Sequence, residues 1–418
     1  MSIKDTYKRI INSKDGKALF SNLTYLFLLQ IASYAFPLIT IPYLARTIGA
    51  SGYGMISFAT AIMTWIMTIT DWGFNFTATR DVAKNRNNKE VVSEIFSTVL
   101  WSRIILMCIS FIILLIIILS VPQLKRYISI ILVSFIMIPG HILFPQWFFQ
   151  AIERMKFITI LNVVAKLVFT LSVFLFIKEK EDYILQPLLT SLGFIVSGIV
   201  ALYIIVNKWG IKIKYPNFSK CFRTIRNSTD VFINNLMPNL YNSLSVILLG
   251  LWGGPVANGI FDAANRIENI VQSFFNIISR CFYPFLARRS DKFKAYEKFN
   301  IILSIIITTI LFFCAPFIIE LLYTTEFSEA INILRILSLS IIFITLVNTY
   351  GTNYMILQGY EKELRNITTI SSFIGLAIGA LLIYRYHIIG TALTIVLSRG
   401  ILGIGILFAS KKKMRLLK

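Results

Sequence analysis

The residues able to do chemistry in this chain are charged side chains set inside apolar stretches. Arg103, Lys166, Arg266, Arg280, Arg335 and Arg399 lie in runs otherwise rich in Ile, Leu, Val and Phe, as do Asp71, Asp262 and Glu268. A charge at the centre of a membrane-crossing helix costs about 2.5–3.5 kcal/mol on insertion scales, so such groups face protein or water rather than lipid. The excess of cations suits an anion. Arginine grips phosphate through paired hydrogen bonds, and lysine acts on it as a point charge. Asp71 and Glu268 are the acids suited to carry a proton or Na⁺. Arg266 and Glu268 are two residues apart and do not face each other on a helix, so Arg266 or Arg280 is the expected partner of Asp71. Cys108, Cys221, Cys281 and Cys314 form no CxxC pair, and His141 and His387 are far apart in sequence. They point to no metal site. Walker, nucleophile-elbow and GxGxxG motifs are lacking. The reading is a non-enzyme without cofactor or metal.

Polar residues recur on helix faces within the same runs. Thr60, Thr64, Asp71 and Asn75 share one face, and Asn265, Asn269, Gln272, Asn276 and Arg280 share another. Gln30, Tyr34 and Thr40 correspond to Asn235, Asn239 and Ser245 at an offset of 205 residues. A single stripe is what interhelical hydrogen bonding requires. A matched set predicts a polar cavity between two related halves. Tyr25, Tyr34, Tyr241, Tyr350 and Tyr354 flank that region and could stack on sugar faces or sit in the interfacial aromatic belts.

The elements that must hold these groups follow from composition. The chain has 418 residues, 56% hydrophobic and 15% charged, with a mean hydropathy of +0.73. Soluble domains carry about 25% charged residues, so a soluble enzyme, a disordered chain and a disulfide scaffold are excluded. Stretches of about 20 apolar residues mark membrane spans. Twelve are expected, at 19–44, 54–79, 93–120, 127–150, 157–177, 183–206, 229–251, 256–286, 299–322, 329–357, 364–384 and 388–410. Pro37, Pro42, Pro139, Pro145, Pro238 and Pro316 interrupt some of them. The fold class is an all-α polytopic membrane protein with twelve transmembrane helices in two six-helix bundles around a central cavity. Its parts are an N-terminal bundle at 1–206, a cytoplasmic linker at 207–228 and a C-terminal bundle at 229–418.

Of the 41 Lys and Arg residues, 29 fall in the N-terminus and every second connection, six in the others and six inside spans. Cytoplasmic loops carry the positive excess, which places both termini in the cytoplasm. It also explains the net charge of +21 as topology, with no basic domain for nucleic acid. An internal repeat supports two halves. At an offset of 205, Gly49 meets Gly254 and Gly54 meets Gly259; at 208, Gln150 to Arg154 meets Gln358 to Lys362, and Arg80 meets Arg288. These glycines suit tight turns with positive φ. Halves with an even number of spans share one orientation in the membrane.

The motifs resemble those of bacterial polysaccharide flippases, the O-antigen and capsule repeat-unit transporters of the multidrug/oligosaccharidyl-lipid/polysaccharide exporter superfamily. They are Pro-Leu-Ile-Thr-Ile-Pro-Tyr-Leu-Ala-Arg-Thr-Ile-Gly-Ala-Ser-Gly-Tyr-Gly at 37–54, Ala-Thr-Arg-Asp-Val-Ala-Lys-Asn-Arg at 78–86 and Phe-Phe-Gln-Ala-Ile-Glu-Arg-Met-Lys-Phe at 148–157. The motif residues Arg46, Gly49, Gly54, Arg80 and Glu153 carry the likeness, which extends over essentially the whole chain. It implies an inner-membrane antiporter-like protein that moves undecaprenyl-pyrophosphate-linked oligosaccharide by alternating access. It also implies a pathway shared with a polymerase and a chain-length regulator. The alternatives are a cation-coupled multidrug exporter of the same fold and a membrane polymerase or ligase.

Overall fold

The computed structural model describes residues 14–416. The basic N-terminal residues Lys4, Lys8 and Arg9 and the C-terminal Lys418 lie outside them. The described residues form helices without strands. The helices are α1 (Lys14–Asp71), α2 (Phe74–Lys84), α3 (Lys89–Ser120), α4 (Ile128–Phe135), α5 (Met137–Leu143), α6 (Gln146–Ala151), α7 (Met155–Phe176) and α8 (Leu185–Trp209). They continue as α9 (Phe218–Leu236), α10 (Ser243–Trp252), α11 (Gly254–Arg288), α12 (Phe293–Leu322), α13 (Ala330–Ser338) and α14 (Ser340–Leu346). A π-helix (Val347–Ile356) and α15 (Glu361–Leu416) complete the chain.

Among the described residues, eight stretches are long and apolar enough to cross a membrane. Two of these, Leu28–Lys84 and Glu361–Arg415, each cover two expected spans. Non-helical residues divide them, Gly49 (φ 64°) in α1 and His387 (φ 44°) in α15. The expected seventh span divides between α9 and α10 at a short 3₁₀ turn, Met237–Leu240, that contains Pro238. The expected eighth falls on α11, whose polar stripe lowers its hydropathy. Pro145 marks a true break between α5 and α6, whereas Pro37, Pro42 and Pro316 lie inside helices. The chain is a multi-pass, all-helical membrane protein.

Packing divides the chain into two compact units. One holds the described part of Met1–Tyr43 together with Met63–Ile233; the other holds Leu44–Ile62 and Asn234–Lys418. In the first unit the stretch expected as a linker is tied along α3. The Lys212 and Lys214 amides donate to Ser93 Oγ and Ser97 Oγ at 3.1 and 2.8 Å, and Trp101 Nε1 donates to the Lys214 carbonyl at 3.0 Å. Its second half is already helical, because α9 begins at Phe218.

In the second unit the repeat becomes a physical contact. A Cβ on Gly54 would sit 1.7 Å from the Pro255 carbonyl oxygen, and one on Gly259 would sit 2.0 Å from the Ala50 carbonyl oxygen. Each contact is the other displaced by 205 residues. Two equivalent helix starts therefore cross backbone to backbone, which only glycine allows. Gly49 and Gly254 have positive φ (64° and 83°), as turn glycines should. Gly54 and Gly259 lie inside helices, and their expected turn role gives way to close approach. The Gly49 break exposes a new helix N-terminus, where the Ala50 amide donates to Glu326 Oε2 at 2.9 Å. A carboxylate suits the positive end of the helix dipole.

The second repeat match shifts register. Arg154 N bonds the Phe149 carbonyl and Tyr360 N bonds the Met355 carbonyl, both at 2.8 Å. Glu153 and Gly359 both have positive φ. These turns correspond at an offset of 206, not 208, because the backbone reversal rather than the side-chain string defines the equivalence.

Candidate functional site

Three of the intramembrane cations are each neutralised by a carboxylate within their own unit. In the first, α1 ends at Asp71 and α3 carries Arg103, whose Nη2 meets Asp71 Oδ1 at 2.5 Å. His141 of α5 places Nε2 3.1 Å from the same oxygen, and Arg103 also donates to the carbonyl of Ile142 at 3.3 Å. Asn75 holds the second carboxylate oxygen at 3.2 Å. Asp71 is therefore engaged by Arg103 and His141, not by the expected Arg266 or Arg280.

In the second unit, Arg399 of α15 donates to Glu268 Oε1 at 2.7 Å, to Ser340 Oγ at 2.9 Å and to Gln272 Oε1 at 3.0 Å. The Glu268 side chain is fully buried and that of Arg399 is 3% exposed. Arg266 bonds Asp262 at 2.6 Å, one turn earlier on α11, and lies 5.1 Å over the Tyr53 ring. Tyr53 in turn stacks edge-on against Tyr323 and Phe327.

The remaining cations differ. Lys166 lies midway along α7, half-buried, and donates to Ser33 Oγ at 2.7 Å. No carboxylate pairs with it among the described residues. Arg280 is exposed on α11. Arg335 donates to the Phe312 carbonyl and lies 5.5 Å over the Phe312 ring, a stacking contact between an aromatic face and a cation. The structure thus gathers Asp71 with Arg103, and Glu268 with Gln272 and Arg399. It does not bring Lys166, Arg280 or Arg335 into either group.

The polar stripe of α11 is partly used in packing. Asn276 accepts from Asn348 of the π-helix at 2.9 Å. Asn265 is half-buried, Asn269 is exposed, and Asn235 on α9 is exposed. Asn239 is half-buried and bonded. Of the motif residues, Arg46 is exposed. Arg80 pairs with its neighbour Asp81 on the surface, and Glu153 pairs with Arg86 at 2.6 Å. Tyr241, Tyr350 and Tyr354 are buried, so these rings pack the protein interior instead of presenting faces to a sugar.

Sequence reasoning missed His141, Ser340 and a buried network around the π-helix. There Asn353 donates to Tyr296 at 2.6 Å and Asn300 donates to Thr349 at 2.8 Å. The two breaks at Pro139 and Pro145 around His141 were the available signal for the first.

A pocket with several polar side chains in its lining also opens in the first unit. Trp72 and Gly73 have φ of 39° and 80° and step the chain sideways between α1 and α2. Trp72 is held there by stacking on Phe232 at 3.8 Å. Phe144 and Pro145 separate α5 from α6. Residues that follow each break, Asn75, Phe76, Thr79 and Arg80 of α2 and Gln146 and Gln150 of α6, line a cavity of about 490 Å³ together with Arg103, His141 and Phe144.

The comparisons with known proteins now bear on the whole. The family model for polysaccharide biosynthesis proteins matches residues 19–290. A relative in Escherichia coli K12, named "Putative O-antigen transporter", is 31% identical over 90% of this chain and 92% of its own length. A relative of the same name in Shigella dysenteriae is 25% identical over 93% and 99%. Among solved structures, the lipid II flippase MurJ in an inward closed conformation superposes with a TM-score of 0.71. It has 14% identity and covers 94% of this chain and 87% of that one. The eukaryotic MATE transporter AtDTX14 superposes with a TM-score of 0.63, at 14% identity and 94% of both chains. At such identities these structures establish the fold alone. With that fold, those motifs and a family match over more than half its length, the chain belongs to the polysaccharide biosynthesis protein family, the bacterial polysaccharide flippases that its motifs resemble.

Proposed function

We propose that this protein flips undecaprenyl-pyrophosphate-linked oligosaccharide repeat units from the cytoplasmic to the outer leaflet of the bacterial inner membrane. The polymer served is O-antigen, capsule or a related surface polysaccharide. In this reading twelve crossings put both termini on one side, the Lys/Arg bias makes that side the cytoplasm, and transport is by alternating access. The lipid tail stays in the bilayer while pyrophosphate and sugars pass through the protein, because bare charge in hydrocarbon is prohibitive. The supply of repeat units and their polymerisation fall to other proteins, a polymerase and a chain-length regulator among them.

One observation carries the choice of an anionic cargo. Asp71, Asp262 and Glu268 are each matched to an arginine of their own unit, while Lys166 sits mid-helix with only a hydroxyl beside it. The membrane interior keeps a cation in reserve and no unpaired carboxylate in that set. A multidrug exporter for cations calls for the reverse. For coupling, Asp71 (21% exposed) is better placed than the fully buried Glu268 to exchange an ion with solvent.

The test is flipping of the host's lipid-linked repeat unit in proteoliposomes, with accessibility to an external glycosidase as readout. Lys166→Ala should slow flipping at least about tenfold, the worth of one hydrogen bond to a charged group, and Lys166→Arg should recover part of it. Wild-type rates in Lys166→Ala would end the assignment of this lysine. In cells, depletion should leave the lipid-linked unit in the cytoplasmic leaflet. Normal leaflet distribution with shortened polymer would instead indicate a polymerase.

A further inference from the structure

We infer that the pocket lined by α2 and α6 of the first unit is a saccharide subsite, where a sugar of the lipid-linked oligosaccharide is recognised. The choice of that oligosaccharide as ligand rests on the function proposed above. The volume, about 490 Å³, lies within the span of small-molecule pockets, roughly 300–1,000 Å³.

The lining identifies the ligand class. From α6, Gln146 and Gln150 face the pocket, half-buried. Neither side chain has a hydrogen-bond partner among the described residues. Each amide offers two donors and an acceptor with two lone pairs, the complement of vicinal hydroxyls. Phe76 and Phe144 add aromatic surface to the lining, as a sugar's apolar C–H face requires. Arg103 also lines it, with its Nε buried and without a partner.

A phosphate group is the main competitor, since Arg80 and Arg103 both line the pocket, and the ion pairs of these arginines weigh against it. Arg103 is neutralised by Asp71, and Arg80 is paired with Asp81 at the surface. A phosphate site gathers cations whose charge is not already matched. The half-buried side chains of this lining left without a partner among the described residues are the two amides. The pocket therefore fits the neutral, hydroxyl-bearing part of the cargo and leaves pyrophosphate to Lys166.

Two soluble probes separate these assignments on the purified full-length protein. One is the repeat-unit oligosaccharide released from the host's carrier by mild acid, and the other is inorganic pyrophosphate. Titration calorimetry should show the oligosaccharide binding wild type. Gln146→Ala/Gln150→Ala should bind it about tenfold more weakly with pyrophosphate binding unchanged. Phe76→Ala, at an exposed ring outside the buried core, should weaken the oligosaccharide in the same sense. Equal oligosaccharide binding in wild type and both variants, no binding to wild type, or loss of pyrophosphate binding alone would each overturn the subsite. The proteoliposome assay reads the function independently. Wild type that flips repeat units while the glutamine variant binds sugar normally would sink the subsite alone. Wild type that moves no lipid-linked sugar would sink the proposed function.

Discussion

Arg399→Met is expected to abolish most of the folded protein recovered from membranes. Arg399 gives two of its nitrogens to Glu268, Ser340 and Gln272, and the Glu268 side chain is fully buried. Removing one partner of such a pair leaves an uncompensated charge and costs about 3–5 kcal/mol, whereas replacing both by apolar residues of like volume is often neutral. The double variant Glu268→Leu/Arg399→Met should therefore regain much of the yield lost in the single variant. Fluorescence-detected size exclusion and thermal unfolding in detergent make the comparison. A stable single variant would refute the structural role of the pair. If the double variant folds but fails to flip, Glu268 contributes to transport beyond holding the fold.

The second large effect is expected at the glycine crossing. Gly54→Ala places a methyl carbon 1.7 Å from the Pro255 carbonyl oxygen and 2.7 Å from the Gly259 amide nitrogen. Both are backbone atoms that no rotamer change can move. Overpacking of a core typically costs about 1–3 kcal/mol, and this clash is with main chain on the facing helix. Gly259→Ala should behave alike, since its nearest atom is the Ala50 carbonyl oxygen at 2.0 Å. The double variant should cost less than the sum, because both changes force apart one contact. Gly193→Ala is the control. Its nearest neighbour would be the Ala165 carbonyl at 3.8 Å, so the helix should gain up to about 1 kcal/mol from the better helix former. Thermal unfolding of the variants decides; an unchanged Gly54→Ala would show that the two helix starts do not meet as described.

The fold was legible because membrane helices announce themselves by hydropathy, and because a repeat with nearly constant offset left matched glycines. What those glycines do was only half legible. Spacing shows that Gly54 and Gly259 correspond, but a turn glycine and a contact glycine look alike in sequence. The charge pairs divide in the same way. Asp262 and Arg266 are four apart, the spacing that brings side chains together on a helix, and that pair was there to be read. Glu268 and Arg399 are 131 residues apart, a separation at which only the folded chain selects the partner. The pocket was invisible because its lining comes from two short helices distant in sequence, α2 and α6, together with Arg103 and His141. No periodicity encodes that. Of the six expected cavity cations, Arg103, Arg266 and Arg399 pair with carboxylates, while Lys166, Arg280 and Arg335 pair with none among the described residues, a distinction that counting charges does not make.

The two buried ion pairs also set a timetable for biosynthesis. Arg103 follows Asp71 by 32 residues, so the first unit can neutralise its acid soon after the third expected span is made. Glu268 must wait for Arg399, and α12, α13, α14 and the π-helix are synthesised in between. At roughly 5–20 residues per second the delay is on the order of ten seconds. During that interval the nascent chain holds a glutamate in the membrane with no countercharge from its final partner. A chain cut short before Arg399 lacks the arginine with which Glu268 pairs.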